Sequence, residues 1–389
     1  MSTKSSRTHR RAAIRMAAAA SVVAGAVLLP SWSASAATPA GPQVDAKTKA
    51  TFQRLADAVF TDRTHALVDR PGKETKPLTD GFVGKVALSS ELARAEDGAL
   101  HQLGDRRDRL ARLGEKYSAS STSVALDRTR VSGRRAVVAV TETTTLTYEK
   151  VRGNEPGTTG FQAHHELTFR ADGGGDWRLT GIRESDDGYR AVNQPTAATT
   201  TTVTTDDTMP SAPRAATTRP APPNPKNFTA RGYDYKAMAA YAEKYWTNYN
   251  PAYPNFNGHG AGGDCTNFVS QSLKAGGWKH APGYVNDYTK WFGTADIQSD
   301  SFVGVNEWSW FAQNSKRATS LANVYQLDVG DVLQIDFDKN GDKDHTMIVT
   351  YRSPQGVPYL TYHSNNTHQR SVASIIASSP NAAYYAYRT

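Results

Sequence analysis

The chain has 389 residues, a single cysteine and a formal charge of +8. That length allows more than one hydrophobic core, and a lone thiol excludes an intrachain disulfide. Five basic residues, Lys4, Arg7, Arg10, Arg11 and Arg15, lie before the first acid; without them the charge falls to about +3, which does not indicate nucleic-acid binding.

Residues 1–36 read as a secretory signal: the basic start, an apolar run from Ala17 to Leu29, and the small-residue cleavage site Ala34-Ser35-Ala36. The apolar run is short for a membrane span, and no later stretch reaches spanning length, so the expectation is a secreted chain with no transmembrane span once processed. Residues 45–191 follow as an accessory α+β domain. Phe52, Leu55, Ala56, Val59 and Phe60 recur at helical spacing, and Ser89–Ala95 and Arg106–Glu115 carry two further helical patterns. Strand-like runs rich in Thr and Val then cover 121–130, 134–150, 161–170 and 177–184, with Gly-containing turns between them. The order, helices first and a meandering antiparallel sheet after, loosely resembles the nuclear-transport-factor-like domains. Residues 192–227 are rich in Thr and Pro and predict an extended, solvated linker.

A second α+β domain spans 228–389. Asp234 can cap a helix running to about Asn248. Gly262-Gly263 leads into Asp264-Cys265-Thr266-Asn267-Phe268-Val269, with Phe268, Val269, Ser272 and Leu273 at helical spacing and Gly276-Gly277 as the stop. This places the thiol in the first turn of a buried helix, where unpaired N–H groups and the helix dipole favour a thiolate; a small packing residue is the alternative. Trp278, Trp291, Trp308 and Trp310 lie in sequence without regular pattern and suit either core or the wall of a groove. Strands are expected at 332–337, 345–351, 358–363, 371–376 and 383–387.

A cysteine hydrolase needs a thiol at a helix start, an imidazole to take and return the proton, and a third group to fix the ring. Cys265, His345 at the start of a strand, and His363 at the end of the next can supply these in that order. The backbone N–H of Cys265 is the natural oxyanion donor, with Asn257 or His259 as a second. Asp264 reads as a cap for the helix start, because a carboxylate beside the thiol opposes its ionisation.

Tyr249-Asn250-Pro251, Asp264-Cys265-Thr266-Asn267-Phe268-Val269-Ser270-Gln271, Ala275-Gly276-Gly277, Gly330-Asp331-Val332 and Asp344-His345-Thr346 together resemble the bacterial "putative amidase domain" family. The set is more distantly similar to NlpC-type and CHAP cell-wall peptidases. The resemblance implies a papain-like domain in which Cys265 attacks an amide carbonyl and His345 is the base. For the third group, the NlpC-type pattern implies His363, and papain-like and CHAP patterns imply Asn365 or Asn366.

The turn before His345 carries Asp336, Asp338, Asn340 and Asp342 at alternate positions around Gly341, the first half of a calcium loop. Met347 stands where the loop's last acid belongs, so a solvated hairpin turn competes with a structural calcium site. No cofactor is required by the chemistry. The sequence therefore predicts an exported cysteine-type hydrolase of amide bonds in peptides or cell-wall peptidoglycan. A wall-binding module with a tryptophan-lined groove, or an acyltransferase using the same triad, are the alternatives.

Overall fold

The computed structural model describes residues 44–69, 87–195, 212–258 and 263–389; the signal segment, His259 and residues 196–211 lie outside them. Helix α1 (Ala46–His65) starts where the Asp45 carboxylate accepts from the Thr48 N–H at 2.9 Å, and its expected stripe, Phe52 to Phe60, is buried. Strand β1 (Ala87–Leu88) precedes helix α2 (Ser90–Arg112). The two helical patterns of the sequence are thus one helix. Leu92, Ala99, Leu103 and Leu110 form a continuous buried stripe through it, and that burial outweighs the roughly 1 kcal/mol each that Gly98 and Gly104 cost a helix. Strands β2 (Tyr117–Ser132), β3 (Arg135–Tyr148), β4 (Thr158–Ala171) and β5 (Trp177–Glu184) follow in the expected order.

In the second half, Asp234 caps α3 (Tyr235–Tyr245) through the Ala237 N–H at 2.9 Å. Next come α4 (Cys265–Ala275), α5 (Asp300–Val303) and α6 (Val305–Asn314). Strands β6 (Thr319–Leu321), β7 (Val332–Asp336), β8 (His345–Arg352), β9 (Pro358–Tyr362) and β10 (Asn366–Ser371), helix α7 (Val372–Ser378) and strand β11 (Ala383–Arg388) complete the chain. The fold is α+β, mixed helix and mainly antiparallel sheet. Residues 371–376, expected as a strand, begin instead as the N-cap of α7, the Ser371 hydroxyl accepting from the Ser374 N–H at 3.1 Å. Val372, Ala373, Ile375 and Ile376 are all buried, so their apolar run carried no period to tell helix from strand. Trp278, Trp291 and Trp308 are core residues, at most 1% exposed; Trp310 is half-buried.

Among the described residues the eleven strands form one sheet in the order β1-β5-β4-β10-β9-β8-β7-β11-β6, with β3 on the other edge of β4 and β2 beyond it. The halves join where Asn366, Thr367 and His368 of β10 pair with Gln162, Phe161 and Gly160 of β4. One apolar core contains Tyr117, Leu146 and Phe161 from the first half with Leu360, Tyr362 and Ile375 from the second. Residues 212–227, expected as a solvated spacer, are seated on the second half: the Ala216 N–H donates to Ala322 and its carbonyl accepts from Val324. The Lys226 ammonium donates to Asp331 Oδ1 at 2.7 Å, both groups buried. Proline removes N–H donors without removing carbonyls, so a Pro-rich strap can still accept bonds such as that from Gln326 Nε2 to the Pro222 carbonyl.

Candidate active site

The site is organised at the N-terminus of α4. Gly263, immediately before it, has φ +97°, and a Cβ there would lie 3.0 Å from Ser364 Oγ and 3.2 Å from the Asp187 carbonyl oxygen. Only glycine combines that conformation with that approach. Asp264 does not cap α4 with its side chain. Its Oδ1 accepts from the Phe256 N–H at 3.1 Å and Asn267 Nδ2 at 2.8 Å, and its Oδ2 lies 2.7 Å from His363 Nδ1. His363 Nε2 donates to the Tyr245 carbonyl at 2.9 Å, and the ring is stacked between Tyr249 and Phe268, each at 4.0 Å. Both of its nitrogens are therefore occupied, and His363 holds the start of α4 instead of the ring of His345.

Cys265 is the first residue of α4 and is 2% exposed. Burial pushes its thiol up; the Thr346 backbone N–H and the Thr266 hydroxyl oppose this without reversing it. The Thr266 and Thr346 hydroxyls are hydrogen-bonded at 2.9 Å, so Cys265 and His345 each immediately precede one member of that pair. No hydrogen bond joins Cys265 to His345. Strand alternation explains this: β8 turns Thr346 and Ile348 toward α4, whereas Met347 and Val349 lie in the shared core on its other face. His345 lies on the same face as Met347. It is 0% exposed, lies 5.1 Å from the Tyr189 ring and 4.9 Å from the Tyr362 ring, and neither ring nitrogen has a hydrogen-bond partner among the described residues. Burial, reinforced by the charge of Arg370, pushes its imidazole down to about 3. At neutral pH the site therefore holds a thiol and a neutral imidazole, not the ion pair that a helix-start cysteine suggested.

Residues 232–387 match the family model described as "Putative amidase domain". This part of the chain is similar to that family. A protein of Bacillus subtilis (strain 168) named "Uncharacterized protein YhbB" is 34% identical over 143 residues, 36% of this chain and 43% of that protein. A second from the same organism, "Uncharacterized protein YjcM", is 29% identical over 138 residues, 36% of this chain and 32% of its own length. The chain thus spans less than half of either relative. Among solved structures, the intermembrane-space region of the chloroplast protein ARC6 is similar at TM-score 0.24 and 18% identity, covering 37% of this chain and 98% of that one. The family describes amide hydrolysis in general terms and leaves the nucleophile and substrate open.

Within residues 232–387 the remaining candidates serve as struts. Asn257 Nδ2 donates to Asp186 Oδ1 at 2.9 Å and to the Ser364 carbonyl at 2.7 Å, and its Oδ1 accepts from the Asp187 N–H at 3.2 Å, which leaves it no free donor for an oxyanion. Asn365 donates to the Tyr189 carbonyl and accepts from Thr367 Oγ1 at 2.6 Å; Asn366 Oδ1 accepts from the Tyr249 hydroxyl at 2.8 Å. Neither asparagine touches the His345 ring nitrogens. Two contributors had no signal in the local sequence. Residues 186–189, which follow β5 in the first half, wall the site through these bonds and through the Tyr189 ring. Arg370 is 1% exposed, donates to the Tyr362 hydroxyl at 3.0 Å and lies over Tyr189. A cavity of about 410 Å³ opens beyond Tyr189 and Phe337 and is lined by Arg106, Arg109 and Arg190.

Proposed function

We propose that the protein is an exported hydrolase of amide bonds in peptides or peptidoglycan, with Cys265 as nucleophile and His345 as base. The observation that carries the reading is the Thr266–Thr346 hydrogen bond, which ties the turn bearing the only thiol to the strand start bearing a histidine with two unpartnered ring nitrogens. The neutral imidazole takes the thiol proton as Sγ attacks the carbonyl carbon, and the Cys265 backbone N–H faces the oxyanion. The proton passes to the departing amine, and water then cleaves the thioester with His345 again as base. For this the His345 side chain, which packs against Tyr189 and Tyr362 on the face of β8 away from α4, must turn at the strand start to reach Sγ. His363, acting through Asp264, is a positioning residue. The arginines of the cavity beside Tyr189 give a carboxylate-bearing peptide a cationic wall.

Incubating the processed chain with purified wall fragments and with peptides, then mass-analysing the products, tests the reading. New amine and carboxyl ends are expected from the wild type and none from Cys265→Ala; His345→Ala should lose about 10²–10⁴-fold in rate. Products joined to an added amine would indicate acyl transfer. Binding to wall material without new ends, unchanged in Cys265→Ala, would leave a binding module, although three of the four tryptophans that suggested one are in the core.

A further inference from the structure

The hairpin between β7 and β8 gathers more negative charge than its turn requires. Asp336, Asp338 and Asp344 each bring a carboxylate oxygen within 4.8 Å of the other two. Oxygens bound to one calcium ion at about 2.4 Å lie within about that distance of each other. Asp336, which ends β7, is 0% exposed. Its Oδ2 accepts from the Gly341 N–H at 3.1 Å and faces the Tyr385 hydroxyl at 3.4 Å, but its Oδ1 is buried with no hydrogen-bond partner among the described residues. A buried carboxylate oxygen without a donor is costly, and beside two more carboxylates it is also repelled. Asn340, read from the sequence as a ligand, spends its amide on the turn, donating to Asp338 Oδ2 at 3.2 Å and accepting from the Asp342 N–H at 2.7 Å. Asp344 joins the cluster, and Asp342 does not.

The geometry points to a calcium site formed by Asp336, Asp338 and Asp344 that clamps the β7–β8 hairpin. All-oxygen donors select a hard cation, and an irregular carboxylate cluster suits calcium better than magnesium, which demands near-octahedral geometry. The ion would bridge the last residue of β7 to the residue before His345, cross-linking a turn otherwise closed there by the bond from the Asp344 N–H to the Ile335 carbonyl at 2.8 Å. It would thereby fix the strand start from which His345 projects. The site stands independently of the proposed hydrolysis, because its test reads binding and unfolding only.

The probes are calcium and terbium on the full processed chain. Tyr385, in contact with Asp336, should sensitise emission from bound terbium, and calcium should displace it. Calcium should raise the melting temperature by several degrees over a sample in chelator. Asp338→Asn and Asp344→Asn, at less buried positions than Asp336, should fold, lose about tenfold or more in calcium affinity, and lose the thermal shift. Equal melting temperatures in millimolar calcium and in chelator, with no calcium-displaceable terbium emission, would overturn the site. Wild-type affinity in both variants would overturn its ligands, and displacement by magnesium as effective as by calcium would overturn the choice of ion.

Discussion

Cys265 occupies a position at which two effects oppose each other. The helix start favours a thiolate by about 0.3–1 kcal/mol, whereas full burial can move a pKa by several units, each worth about 1.4 kcal/mol. Burial wins, and the raised pKa sets the sign of an alkylation experiment. The thiolate fraction at pH 7 lies below that of a free cysteine, whose pKa is about 8.5. Iodoacetamide should therefore label the native protein slowly at pH 7, with a rate that rises only at more alkaline pH and increases sharply in denaturant. Because His345 is neutral at that pH, His345→Ala should leave the profile nearly unmoved. Native labelling faster than a free thiol at pH 6–7 would show that the resting site in solution holds an ion pair. The helix start and its thiol were legible in residues 262–277. The burial of that helix was expected too, but its outweighing the helix start at the thiol was not, since the Thr346 strand that packs there is remote in sequence.

At the scale of the element, α4 is gripped at both ends by contacts only small or paired residues permit. At its C-terminus a Cβ on Gly276 would lie 2.2 Å from Met238 Cγ and 2.7 Å from the Asp234 carbonyl oxygen, and Asp234 N–H donates to the Gly276 carbonyl at 2.9 Å. The side chain can move aside but the backbone oxygen of the α3 cap cannot move freely, so Gly276→Ala should destabilise by about 1–3 kcal/mol. Met238→Ala should not restore what is lost, and full recovery in that double mutant would place the clash on the side chain alone. At the other end, Asp264→Ala strips a buried acceptor from His363, Asn267 and Phe256, a loss of about 3–5 kcal/mol. A double-mutant cycle between Asp264→Ala and His363→Ala, read by chemical denaturation, should show strong coupling; additive losses would mean that His363 does not act through Asp264. In the sequence Tyr249, Asp264 and Phe268 stand in the motifs that carry the family resemblance and His363 stands as a candidate third group, with nothing to show that the four meet. Tyr249 and Phe268 sandwich His363, and the stacking of a loop residue and a helix residue on a histidine just past a strand end leaves no local pattern.

On the scale of the whole molecule, the pattern of the sequence and the construction of the fold diverge most. Each half carries legible helices and strands, and the Thr/Pro-rich stretch between them resembles a tether. Yet β10 hydrogen-bonds to β4, and Phe161 is buried in a core completed by Leu360 and Tyr362. Pairing between strands some 200 residues apart is set by edge complementarity, which no window of sequence contains. The described residues from 44 to 389 fall within one compact unit, and residues 186–189 of the first half bond directly to Asn257 and Asn365 of the site. This makes a sharp prediction for a chain cut between the halves. With a protease site introduced within residues 196–211, cleavage should give a nicked protein that elutes at the position of the intact one and unfolds in a single transition, because the sheet and the shared core hold the pieces together. The pieces should part only in denaturant, and the separated second half, with Leu360 and Tyr362 uncovered, should be far less soluble than the nicked complex. Two species separating in native buffer, or two independent melting transitions, would show that each half completes its own core and that the β4–β10 pairing adds little to stability.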